Sequence, residues 1–141
     1  MSEFVSMESE QAVLGSMLID SRCIRDVAAV LRETDFSIAL NQDLFRVITT
    51  MDRDGRPVDG LTVCQEAVNQ RLAEEKTLRR YLGDLMDITP TAANVLEYAD
   101  IMAEKARKRE LKAALLDGAK ALDDGEPEDA VRSRVDTAIT A

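Results

Sequence analysis

One long helical stretch limits what this chain can fold into. From about Thr91 to about Leu122 there is no proline, and Gly118 is the only glycine. Pro90 disfavours an earlier start by biasing Thr89 toward extended backbone, and the Thr91 hydroxyl can satisfy a free amide of the first turn. Gly125 and Pro127 close the segment beyond its far end. At about 1.5 Å per residue, such a helix is a rod of about 45 Å, longer than a small domain is wide. It must leave the domain that starts it.

Its apolar residues fall into two sets. Val95, Tyr98, Ala99, Met102 and Ala106 share one face at helical spacing. Charge dominates between Glu104 and Lys112, and apolar spacing resumes with Leu111, Leu115, Gly118 and Leu122. Leu111 follows Met102 by nine residues, about two and a half turns, so the second stripe points away from the first. The first half therefore packs on a globular head and the second on a different partner. A single curved helix with a wandering core face is the alternative.

The remaining chain reads as helices throughout. One starts near Ser6, with Ala12, Val13, Met17 and Leu18 on one face and Gly15 open to close packing by another helix. A second, from Ser21, turns Ile24, Val27, Ala28 and Leu31 inward, and Phe36 plugs the core after it. The third is capped by Asn41 and ends at Asp54-Gly55. Thr62 with Gln65 forms a capping-box pattern for a fourth, whose inner face carries Val63, Ala67, Val68 and Leu72. Thr77 opens a short fifth helix with Leu78, Tyr81, Leu82, Leu85 and Met86. After the long helix, Pro127 suits the first turn of a last one carrying Val131, Val135, Ala138 and Ile139. No stretch alternates with period two, so the fold is all-α: a small head over 1–90 and a projecting C-terminal helical hairpin over 91–141, acting as one functional unit.

Charge and residue type restrict the chemistry. The net charge is −9, which argues against strong direct DNA binding, because phosphate contacts need a basic surface. The one basic cluster, Lys105 to Lys112, reads as a solvated face with Glu104 and Lys108 paired at i,i+4; contact with an acidic partner or with backbone is the alternative. With no histidine in the chain, Ser/His/Asp and Cys/His arrangements are impossible and a structural zinc site lacks ligands. Cys23 and Cys64 lack the close spacing of metal or redox motifs. The six glycines are scattered, with no phosphate-cradling frame before Lys76-Thr77. We expect no catalytic, cofactor-binding or metal-binding residues, no membrane span, and a cytoplasmic protein.

The order of motifs is more specific. Glu10-Gln11-Ala12-Val13-Leu14-Gly15, Asp35-Phe36, Leu44-Phe45 and Gly55-x-Pro57-Val58-Asp59-x-x-Thr62-Val63 follow one another. Tyr81-Leu82-x-x-Leu85 and Thr89-Pro90-Thr91-Ala92-Ala93-Asn94-x-x-x-Tyr98-Ala99-Asp100-Ile101 complete the series. Together they resemble the N-terminal domain of DnaB-type replicative DNA helicases over about residues 5–140. The resemblance implies a helical head and hairpin that self-associate into a ring collar of six, stacked on motor domains that use ATP and Mg. It also implies a collar that docks DNA primase in DNA replication, with Tyr81 as the candidate docking residue. The motor domain and its phosphate-binding loop are not among these residues, so no ATPase activity carries over to them. Ser37 and Asn41 stand where the family usually has a histidine and an aromatic, and the glycine pair often found before Tyr-Leu is missing. A free-standing phage or plasmid regulator that mimics the collar and modulates a host helicase is the alternative.

The hairpin is the expected self-association element. Leu111, Leu115, Gly118 and Leu122 face Val131, Val135, Ala138 and Ile139. Two helices cannot enclose stripes this wide. A second hairpin brought in by two-fold symmetry covers them and makes a dimer.

Overall fold

A computed structural model describes residues 4–140, and every regular element among them is helical. Helix α1 spans Met7–Ile19 and is capped by Ser6, whose hydroxyl accepts from the Ser9 amide. Its Val13, Leu14, Met17 and Leu18 are buried, and it packs against three later helices. Ser21–Cys23 forms a 3-10 turn before α2, Ile24–Val30. Ile24, Val27 and Leu31 turn inward as expected, whereas Ala28 is exposed. The Phe36 ring is buried and lies 4.9 Å from that of Phe45.

Several caps differ from expectation. Helix α3 runs Ala39–Arg53, so Asn41 lies inside it, fully buried, instead of capping it. Helix α4, Gly60–Asn69, is opened by Asp59: its carboxylate accepts from the Thr62 amide while the Thr62 hydroxyl accepts from the Asp59 amide. Thr62 is thus the third residue of that capping box and not its first. Helix α5 spans Glu75–Asp87 and starts ahead of Thr77. In each case the N-cap lies three residues upstream, and side chains that can cap also bond productively inside a first turn.

The long helix α6 spans Val95–Asp123. It starts four residues after Thr91, whose hydroxyl instead accepts from the Ala93 amide in the preceding turn. Val95, Ala99, Met102, Ala103 and Ala106 are buried, the first four in the common core of the head. Tyr98, expected on this face, is 37% exposed. Gly125 turns the chain with φ of 87°, and α7, Glu128–Thr140, packs back along α6.

Candidate functional site

The hairpin is closed by small residues. Gly118 and Ala121 of α6 are buried beneath α7, where Val131 is buried in turn. A Cβ on Gly118 would come within 2.7 Å of Val135 Cγ2, so glycine permits the close approach of the two helices. At about 100° per residue, Ala114, Gly118 and Ala121 lie only about 80° round α6 from its head-facing residues. One slowly turning face thus serves both the head and α7.

The leucines do not join that seam. Leu111, Leu115, Leu122 and Ile139 are 45%, 53%, 52% and 52% exposed. Leu111, Leu115 and Leu122 lie roughly 70° further round α6. The expected pairing of all four α6 positions with α7 is therefore corrected. Gly118 meets Val131 and Val135, while the leucines and Ile139 form an uncovered apolar flank, and Ala138 is also exposed. A glycine and alanines are small enough to let the helices touch, which pushes the larger side chains to the side.

The basic cluster divides in two. Glu104 and Lys108 pair at 3.5 Å on the surface, as read from their spacing. Arg109 instead reaches the head: its Nη1 donates to the Phe4 carbonyl at 2.6 Å and its Nη2 to the Asp35 carbonyl at 2.8 Å. Beside it Arg32 pairs with Glu110 at 2.6 Å, and the Lys112 ammonium lies 5.8 Å from the centre of the Phe4 ring. These contacts fix the direction in which the hairpin leaves the head.

A polar network missed at the level of sequence lies inside the head. Glu10 is 1% exposed and accepts from the Ser37 amide, the Ser37 hydroxyl and the Asn41 side-chain amide. Asn41 Oδ1 in turn accepts from the Tyr81 hydroxyl. Tyr81 is half-buried, and burial pushes its phenol up from the ordinary value. Ser37 and Asn41 thus converge on one carboxylate. The available signal was position: Glu10 shares the helical stripe of Val13, Leu14 and Met17.

No group of three or more histidine, cysteine or acidic side chains among the described residues could hold a metal ion, and none of their helices is long and apolar enough to cross a membrane. Residues 2–104 match the family described as the DnaB-like helicase N terminal domain. The replicative DNA helicase DnaB of Geobacillus stearothermophilus is 39% identical over 106 residues, 75% of this chain and 23% of that protein. The replicative DNA helicase DnaC of Bacillus subtilis is 36% identical over the same shares. The chain therefore spans less than a quarter of the length of these curated relatives. The crystal structure of the N-terminal domain of DnaB helicase from Mycobacterium tuberculosis superposes with a TM-score of 0.87 at 32% identity, covering 96% of each chain. That likeness extends through the hairpin, beyond the family match. The chain belongs to the DnaB-like helicase N-terminal domain family.

Proposed function

We propose that this chain is the assembly and docking domain of a cytoplasmic replicative DNA helicase. It pairs through its hairpin into the N-terminal collar of a six-membered ring and presents the collar to DNA primase. ATP and Mg serve a motor domain outside these residues, and the chain itself catalyses nothing. The apolar flank of Leu111, Leu115, Leu122 and Ile139 supports this reading, because it stays uncovered after α7 has packed. Covering a leucine or isoleucine contributes roughly 1.5–3 kcal/mol, enough for several such residues to drive pairing. Gly118, Val131 and Val135 act in the seam that shapes the flank, and the leucines and Ile139 touch the partner copy. Tyr81 is the candidate primase contact through its ring, since its hydroxyl is already bonded to Asn41.

Light scattering over a concentration series tests the pairing. A dimer or larger species is expected at micromolar concentration, and Leu115→Glu, which introduces a carboxylate into the covered flank, shifts it to monomer. A wild-type monomer at high concentration, or a fully oligomeric Glu variant, rejects the hairpin as the interface. Primase docking is tested by titrating a cognate primase C-terminal domain against the wild type and Tyr81→Phe, with Tyr81→Ala as the loss-of-ring control. Binding retained by Phe and lost by Ala, in folded protein, supports Tyr81 as an anchor.

A further inference from the structure

Between Ala106 and Gly118 no residue of α6 is buried. This stretch, 107–117, is about three turns of helix running from the head to the α7 seam. Long helices curve where packing does not hold them straight, so the angle of the hairpin depends on what else grips these turns. Two segments bond to them. At the 3-10 turn Glu33–Asp35, the Asp35 carbonyl accepts from Arg109 Nη2 at 2.8 Å, and Arg32 beside that turn pairs with Glu110 at 2.6 Å. From the segment before α1, the Phe4 carbonyl accepts from Arg109 Nη1 at 2.6 Å, and the Phe4 ring lies 5.8 Å from the Lys112 ammonium.

The two segments are anchored unequally. Asp35 is buried, its carboxylate accepts from both the amide and the guanidinium of Arg32, and the next residue, Phe36, is in the core. Phe4 and Val5 are only half-buried and precede every helix, and their root is pinned where Ser6 caps α1. One charge-assisted bond and one cation–π contact near the surface are each weak alone, so this segment can come away while the head stays folded. We propose that Phe4 and Val5 form a releasable strap, which holds the hairpin at its angle to the head through Arg109 and Lys112 and whose release lets α6 flex over 107–117. Arg109 points about 160° round α6 from Leu111. The strap and the apolar flank are therefore separate, and this inference does not rest on pairing of the hairpins.

Residual dipolar couplings of the isotope-labelled chain test this, because head and hairpin fit one alignment tensor only while they move as one body. The wild type is expected to fit one tensor. Phe4→Gly, which removes the ring and loosens the backbone, is expected to give residues 113–140 a separate, weaker tensor. Amides of 107–117 should then exchange on the order of tenfold faster, while the core amides of α1 keep their protection and verify the fold. Arg109→Gln should do at least as much, and adding Phe4→Gly to it should change little further, because both act through one contact. Glu104→Gln breaks only the pair with Lys108 inside α6 and should leave one tensor. The comparison holds for monomer and dimer alike, since flexion separates head from hairpin in either. A single tensor in Phe4→Gly, two tensors in the wild type, or an equal effect of Glu104→Gln would overturn the proposal.

Discussion

Gly15 of α1 lies directly against Thr89 at the end of α5: a Cβ at Gly15 would stand 2.2 Å from Thr89 Oγ1 and 2.5 Å from the Leu85 carbonyl oxygen. The Thr89 hydroxyl is itself bonded to that carbonyl, so neither neighbour can swing aside freely. The two helices touch backbone to backbone at this point.

Gly15→Ala is therefore destabilising even though alanine favours helix. Its intrinsic gain of up to about 1 kcal/mol is set against an overpacking cost of about 1–3 kcal/mol, which a rigid carbonyl pushes to the upper end. A fall in Tm of roughly 3–8 °C is expected for a domain of this size by calorimetry. An unchanged or raised Tm means that α5 moves away without cost.

Tyr81→Phe keeps the ring and removes the donor to Asn41 Oδ1, which is fully buried. An acceptor left unsatisfied there costs about 1–3 kcal/mol. Asn41→Leu in the same background removes that acceptor, but it also withdraws the amide donor from Glu10, so stability is not recovered. Urea unfolding of the two variants and the double variant reads the coupling directly.

Replacing Arg109 by Gln removes two bonds from a guanidinium to backbone carbonyls of the head. A loss of about 1–3 kcal/mol is expected. The larger effect should be local: faster amide exchange in the middle of α6, with the core amides of α1 unaffected. Because its acceptors are uncharged carbonyls, Arg109 itself should add little salt dependence, unlike the Arg32–Glu110 pair.

Gly118→Leu places a side chain where Val135 Cγ2 already sits. The stiff branched valine yields poorly, so α7 lifts off α6. Hydrogen exchange in residues 128–140 is expected to rise at least tenfold while the head keeps its protection.

Burial first, with the nearby Asp20 carboxylate second, pushes the Cys23 thiol up to about 11. At pH 8 its thiolate is scarce, so alkylation should run roughly two-hundredfold slower than for an ordinary cysteine near 8.5. The rate should still climb between pH 9 and 11. A reaction at the rate of a free thiol would place Cys23 in a wetter setting.

Periodicity carried the all-α class, the order of the helices and the existence of a helix too long for its head. Those depend on local propensity and on apolar spacing, which a chain displays residue by residue. The stops were legible for the same reason: Gly55 and Gly125 both adopt positive φ at the ends of their helices. Helix starts were less so, since Asn41, Thr62, Thr77 and Thr91 each have a capping side chain, and the local pattern does not say which candidate the backbone uses.

Which side of a stripe meets which neighbour was decided only by the tertiary structure. The leucines and Gly118 share one stripe, yet the smallest member forms the seam because helices approach closest over the smallest side chains. Glu10 looked like one acid among 27 and became a buried acceptor only once α1, the segment after Phe36, and α3 brought Ser37 and Asn41 to it. Tyr81 then joined them across forty positions of chain. Contacts of that separation depend on how several helices stack together, and stacking is a property of the assembled core that no single stretch of sequence contains.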